Sequence, residues 1–273
     1  MNNEVEYISS VANPRVKQWA KLLERKYRER EGKFLLEGVH LVKEALAAGW
    51  PIEVVAYDEG SEVADLFAQE MESVSADPPT WVSVSPDVIA KCCETESPQP
   101  IFAVAYKRPI TKEALFRAEQ GLVVVLDGVQ DPGNVGTIVR SAAASGATAV
   151  VLGKGTADLY NPKTIRSTMG ALFHVPVLEV DLREVLPEAK LQGVAVAGTS
   201  LQAARSCYDY DFRRNVWLVF GNEGSGLSHQ VSELIDDHLI IPMTGRAESL
   251  NVAMAATVLL FEAQRQRGLA SKM

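Results

Sequence analysis

The chain has 273 residues, 47% hydrophobic and 23% charged, with a formal net charge of −8. That suffices for one large or two modest domains with a real core, and no apolar run nears the ~18 residues needed to cross a bilayer. The opening "MNNEVEYISS" carries two acids and no apolar stretch, unlike a secretory signal. Of three cysteines, Cys92 and Cys93 are adjacent and Cys207 is distant, which fits neither a disulfide framework nor a CxxC metal site. A reducing, cytoplasmic setting without a metal is expected.

The net charge hides an asymmetry. Arg15, Lys17, Lys21, Arg25, Lys26, Arg28, Arg30 and Lys33 crowd one stretch against Glu24, Glu29 and Glu31, while residues 58–76 and 179–188 are mostly acidic. Such a stripe can bind phosphates within a Debye length even on an anionic protein. A solvated helix face is the competing reading. Asn13-Pro14 is a good helix start, and Val16, Trp19, Leu22, Leu23 and Tyr27 recur at helical spacing until Gly32. "KFLLEG" reads as a strand, Val39 to Ala48 as a helix stopped by Gly49, and "PIEVVAYD" as a strand. "SEVADLFAQEME" reads as a helix, "TWVSVSP" as a strand, "DVIAKCCE" as a helix and "IFAVAYKR" as a strand. Residues 1–108 thus form a first α/β domain, and residues 109–120, bearing proline and charge, a linker.

From residue 121 the character changes. "LVVVLDGV", "TAVVLG", "VPVLEV", "GVAVAG", "VWLVFG" and "HLIIPM" are β-branched runs ending at glycine, proline or polar turns. Nearly continuous apolar strands separated by helical segments indicate a parallel sheet covered on both faces. Ligands in such sheets sit beyond the carboxyl ends of the strands. Residues 121–273 therefore form a second domain with its working edge at those loops.

Three strand-end segments carry chemistry. In "LDGVQDPGNVGTIVRSAAASGA", Asn134 can start a helix, and Arg140 lies six residues, ~9 Å of helical rise, further on. A guanidinium on a mostly apolar helix needs a partner wherever it is buried. In "VFGNEGSGLS" the Gly-Lys-Ser/Thr ending of a phosphate loop is missing, and so is GxGxxG. Glu223 would repel a phosphate, so a backbone-lined pocket for a cationic or neutral group suits this loop better. In "IIPMTGRAESLNVAMAATVLLFEAQRQR", Ser249 can cap a helix that is apolar or small nearly all round. Such a helix must be buried on several faces, against the sheet and a subunit or wholly in the core, with Arg265 and Arg267 suiting its terminal dipole.

In this order and spacing, "DPGNVGTIVRSAAASGA", "GNEGSGLS" and "SLNVAMAATVLLFEA" resemble the three motifs of the SpoU/TrmH class of SPOUT RNA ribose 2′-O-methyltransferases. "NPKTIRSTMGALFHVPV" resembles the segment between the first two. "ISSVANPRVKQWAKL", "GKFLLEGVHLVKEAL" and "QPIFAVA" resemble the L30e-like substrate-binding domain attached to many ribosomal-RNA members. The resemblance implies an α/β fold: an L30e-like N-terminal domain and a trefoil-knotted parallel-sheet catalytic domain holding S-adenosylmethionine. By motif, the cofactor would contact Thr199, Gly221, Ile241, Met243 and Leu250. The reactive residues would be Asn134, Arg140, Glu223, Ser249 and Asn251. The site would lie at a homodimer interface, and Arg15, Lys17, Lys21, Arg25, Lys26 and Arg28 would contact RNA, ribosomal RNA in the first place. A transfer-RNA substrate and a non-catalytic RNA-binding assembly factor on the same scaffold are the alternatives.

Overall fold

The structure, a computed structural model, describes residues 5–72, 78–118 and 120–270. The first residues of the N-terminus, the end of the acidic stretch 58–76 and linker position 119 lie outside the described residues. The chain divides into two compact units, Met1–Pro109 with Tyr160–Phe173, and Ile110–Leu159 with His174–Met273.

In the first unit β1 (Glu6–Ile8), β2 (Lys33–Glu37), β3 (Ile52–Asp58), β4 (Thr80–Val84) and β5 (Ile101–Tyr106) form one sheet, ordered β1-β4-β3-β5-β2. β1, β4 and β3 run parallel, and β5 runs antiparallel to both β3 and β2. The helices are α1 (Pro14–Lys21), α2 (Arg25–Glu31), α3 (Val39–Ala47), α4 (Val63–Leu66), α5 (Ala68–Glu72) and α6 (Pro86–Cys92). The expected strands are present, and the three-residue β1 is an addition too short for any periodicity.

Two expected helices are each broken in two. The stretch from Asn13 divides because Arg28, only 2% exposed, donates from Nη1 to the carbonyls of Leu22 (2.8 Å) and Leu23 (2.7 Å). Those carbonyls would otherwise accept from the N–H groups four residues on and continue the helix. The stretch from Ser61 divides at Phe67, which is fully buried with its ring 5.7 Å from that of Trp81. Cys92 and Cys93 lie in the apolar core with Val16, Trp19 and Phe102. Burial pushes the Cys92 thiol up to about 12 and raises Cys93 as well, which leaves both protonated and unreactive.

The second unit begins with β6 (Leu122–Asp127), α7 (Pro132–Ala144) and β7 (Ala149–Leu152). α8 (Pro162–Thr168) returns to the first unit, where Arg166 pairs with Glu37 (3.1 Å) and Glu94 (2.8 Å). Then follow β8 (Val177–Glu179), α9 (Leu182–Leu191), β9 (Ala195–Thr199), β10 (Arg205–Ser206), β11 (Val216–Gly221), α10 (His229–Ser232), β12 (Asp237–Ile240) and α11 (Val252–Ala270). The seven strands are ordered β10-β12-β9-β11-β6-β7-β8, and every neighbouring pair is parallel. All of β6 and β11 is buried, as a sheet covered on both faces requires.

β12 lies between β9 and β10, although only residues 200–204 join those two strands. That connection therefore crosses β12, and Ser200 N–H donates to Leu239 O at 3.0 Å as it does so. Connections that cross one another at one edge of a sheet are rare outside knotted folds. Beyond this crossing, α11 is fastened to the chain between β10 and β11. Gln266 accepts from Phe212 N and donates to Tyr210 O, and Arg267 donates to the carbonyls of Phe212, Arg214, Gln120 and Gly121. Arg267 thus serves backbone carbonyls outside its own helix, a larger role than dipole compensation, while Arg265 pairs with Glu262 at 2.8 Å.

Candidate active site

The loop after β11 explains its own glycines. Residues 222–226 fold back on themselves, with Asn222 N–H to Gly226 O at 2.9 Å and Gly226 N–H to Asn222 O at 3.0 Å. A Cβ at Gly221 would lie 2.2 Å from the Gly226 carbonyl carbon and 2.3 Å from Leu227 N, so no other residue fits. Gly226 adopts φ +71°, a left-handed turn. The Asn222 side chain accepts from Gly224 N (2.9 Å) and Ser225 N (3.0 Å) and donates to Gly128 O (2.9 Å) after β6. Asn222 is absent from the sequence-derived site, although an Asn two residues before a Gly is a familiar side-chain turn.

Glu223 extends from this loop to the start of α7. Its carboxylate accepts from Gln130 N, Asp131 N and Asn134 Nδ2, each at 3.0 Å. Burial alone would raise this carboxyl, but the bonds from Asn134, Gln130 and Asp131 outweigh it and hold the pKa below the usual glutamate value. The N-terminal end of a helix favours the same ionised form. Asn134 Oδ1 in turn accepts from Asn251 Nδ2 at 3.0 Å. One chain of side chains, Glu223–Asn134–Asn251, thereby joins all three sequence motifs.

The caps differ from expectation. Asp131, not Asn134, starts α7, its carboxylate accepting from Asn134 N at 3.0 Å. Asn251, not Ser249, starts α11 by accepting from Ala253 N (2.9 Å) and Met254 N (3.3 Å). An apolar pattern locates a helix to within a turn, and neighbouring polar residues compete for the cap. Asn134 is thereby released to face Glu223 and Asn251.

A cavity of about 620 Å³ opens at the carboxyl ends of β9, β11 and β12. Thr199, Gly221, Ile241, Met243 and Leu250 all line it, together with Glu223, Ser249 and Asn251. Its size is that of a small-molecule site, ~300–1,000 Å³. The lining contains one carboxylate, Glu223, and no lysine or arginine. That donor set is wrong for a phosphate and suits a ligand with a net positive charge, a sulfonium and a neutral adenosine, so the residues present fit S-adenosylmethionine. His238 also lines the cavity, and its Nδ1 is buried without a hydrogen-bond partner among the described residues. Nothing in its sequence context marks it.

Arg140 stands apart from this cluster. It is exposed on α7 and makes no hydrogen bond or ion pair among the described residues, so the partner expected for a buried guanidinium is not needed. Six residues are 600° of helical rotation, which turns Arg140 away from the face carrying Asn134. The adjacent Ser141 meets Thr257 of α11 at 2.7 Å between hydroxyls. In the first unit Lys17, Lys21, Arg25 and Lys26 are exposed and Arg15 is half-buried. Arg28 must be withdrawn from the RNA-contact set, since its guanidinium is buried on the carbonyls that end α1.

Residues 121–261 match the SpoU rRNA Methylase family, and residues 13–103 match the MRM3-like substrate binding domain. The chain belongs to the SpoU rRNA methylase family. It is 40% identical over 258 residues to the 23S rRNA (guanosine(2553)-2'-O)-methyltransferase RlmP of Bacillus subtilis (strain 168), covering 94% of this chain and 98% of that one. It is 34% identical to the 23S rRNA (uridine(2479)-2'-O)-methyltransferase of Streptomyces viridochromogenes, covering 93% and 91%. The crystal structure of the SpoU methyltransferase AviRb from Streptomyces viridochromogenes with AdoMet superposes with a TM-score of 0.86 at 34% identity, covering 93% and 98%. This SpoU methylase is an S-adenosylmethionine-dependent RNA ribose 2′-O-methyltransferase.

Proposed function

We propose that this SpoU methylase modifies one ribose 2′-hydroxyl of 23S ribosomal RNA, working as a homodimer. Residues 1–108 bind the RNA and residues 121–273 carry the chemistry. The observation that carries this reading is the Glu223–Asn134–Asn251 chain at the mouth of a cavity lined by all five expected cofactor positions. The two relatives compared above act on 23S ribosomal RNA at different nucleotides, one a guanosine and one a uridine.

S-adenosylmethionine, when bound, would supply its sulfonium methyl group to the ribose 2′-oxygen, with S-adenosylhomocysteine as the leaving group and the hydroxyl proton released to solvent. Thr199, Gly221, Ile241, Met243 and Leu250 hold it. Glu223, ionised and committed to three N–H donors, fixes the loop rather than taking a proton. Asn134, Ser249 and Asn251 orient the ribose. Arg140 remains protonated, so it serves as an electrostatic group that binds the neighbouring phosphate and stabilises alkoxide charge. Holding the reactants in line supplies most of the acceleration, up to ~7–11 kcal/mol.

α11 supports the dimer. Ala253, Ala256, Leu259, Leu260 and Ala263 are buried, while Met254 (51%) and Phe261 (44%), seven residues apart on another face, are exposed. A second copy covering that face would also bring a partner surface toward Arg140, which has no hydrogen-bond or ion-pair partner among the described residues. Mapping 2′-O-methyl groups in ribosomal RNA with and without the gene tests the reading. Loss of one ribosomal position is expected; loss of a transfer-RNA position instead, or no loss at all, overturns it. Calorimetry with S-adenosylmethionine separates enzyme from scaffold, since an assembly factor would show no binding.

A further inference from the structure

The first unit has its own cavity, about 350 Å³, between α1, α2 and the sheet. Its floor is apolar: Trp19, Leu22, Val54 and Val104 line it and are at most 6% exposed. Its rim is cationic: Arg15, Lys21, Arg30 and Lys33 outnumber Glu31 and Glu53 by four to two. Tyr27 stands on the same rim, with Lys21 Nζ 5.4 Å and the Arg30 guanidinium 4.9 Å from its ring centroid. The Arg15 guanidinium lies 5.2 Å from the Trp19 ring.

A flat basic surface suffices for backbone contacts to a duplex. This one is concave, and a few apolar side chains beneath a cationic rim suit a ligand with a flat part and an anionic part. Three rim cations have carboxylate partners, Arg15 with Glu6, Arg30 with Glu31 and Lys33 with Glu53, while Lys21 has none among the described residues. The Arg15 and Arg30 pairs are exposed, so each costs little to exchange for a phosphate. Sequence-reading RNA contacts take unpaired bases, stacked on aromatic rings or guanidinium planes. The volume is at the lower end of small-molecule sites, ~300–1,000 Å³, which is room for one nucleotide and not for a helix.

We infer that this cavity receives a single unpaired nucleotide of the RNA, its base against Tyr27 and Arg30 over the Trp19 floor and its phosphate on Lys21 and Arg15. The inference rests on the RNA substrate of the proposed function and adds a place where the N-terminal unit reads RNA structure. A duplex alone would not fill the cavity. An unpaired nucleotide would.

The test uses the full-length protein and two hairpin RNAs, one with a single bulged 2-aminopurine and one with that base paired. The bulged hairpin is expected to bind about tenfold tighter and to lose fluorescence on binding, the low end for one stacked base. Tyr27→Leu should abolish both the preference and the quench while leaving the paired hairpin's affinity unchanged. Tyr27→Phe, which keeps the ring, should retain both. Lys21→Glu should weaken both hairpins. Equal affinity of wild type for the two hairpins, or a preference untouched by Tyr27→Leu, overturns the inference. Displacement of the bulged hairpin by equimolar guanosine monophosphate also overturns it, because the cavity would then serve a free nucleotide. Ribosomal-RNA methylation is scored separately, so a failed pocket and a failed function give different results.

Discussion

At the scale of single residues, the site depends on where protons and hydrogen bonds are held. Glu223 has a depressed pKa, so its stabilising bonds are complete above the ordinary glutamate value and are lost as pH falls through the lower folded value. S-adenosylmethionine affinity should therefore carry the full contribution of Glu223, unchanged with pH, between about pH 6 and 8, and should weaken only as pH falls below the ordinary glutamate range. Glu223→Gln places an amide where three N–H donors converge. Since a hydrogen bond to a charged group contributes about 1.5–3 kcal/mol, the variant should lose about tenfold or more in cofactor affinity by calorimetry. Wild-type affinity would show that the loop orders itself without the carboxylate. Arg140→Lys keeps the charge and loses the planar fork, so some activity with a changed pH profile is expected, and full wild-type rates would remove Arg140 from the chemistry. Glu223, Asn134 and Asn251 were legible as motif residues. Asn222 and His238 were not, because one acts through an internal turn and the other only by its place in a folded wall.

At the scale of elements, the basic N-terminal segment divides into two kinds of cation. Lys17, Lys21 and Lys26 are exposed and available to phosphate, whereas Arg28 ends α1. Reversing those three lysines to glutamate should weaken RNA binding and flatten its dependence on log salt by about 2–3, measured by titration at several salt concentrations. An unchanged slope would return the stripe to a solvated face. Arg28→Ala should act differently, lowering the melting temperature without altering the slope of the remaining RNA binding. Helical periodicity registers the apolar spacing of Val16, Trp19, Leu22 and Leu23 across both halves. It has no way to register a guanidinium taking the carbonyls that would continue the helix. The same limit applies to α11, where Arg267 donates to four carbonyls of other segments. Arg267→Ala should cost about 3 kcal/mol, since several backbone acceptors lose a charged donor together. At this chain length that is a fall of roughly 6–12 °C, readable by calorimetry.

At the scale of the whole molecule, the open apolar face of α11 bears on assembly. Light scattering should give a dimer, and Phe261→Glu with Met254→Glu should yield monomers that lose methylation while each retains S-adenosylmethionine binding. A wild-type monomer would overturn the dimer. The strands were legible because β-branched runs ending at glycine or proline have few alternatives, and a sheet apolar on both faces must be parallel and covered. The three motifs were legible because their glycines and amides serve close backbone contacts that tolerate little else, as Gly221 does where Gly226 and Leu227 lie in the space of a Cβ. Those requirements are local, and a one-dimensional pattern records them. What the tertiary structure alone decided are relations between distant segments. β12 enters between two strands joined by five residues, Asn251 reaches Asn134 across 117 positions, and Arg28 turns inward while its neighbours face solvent. Each depends on which polar groups compete for the same partner once the chain is packed, and sequence spacing carries no measure of that competition.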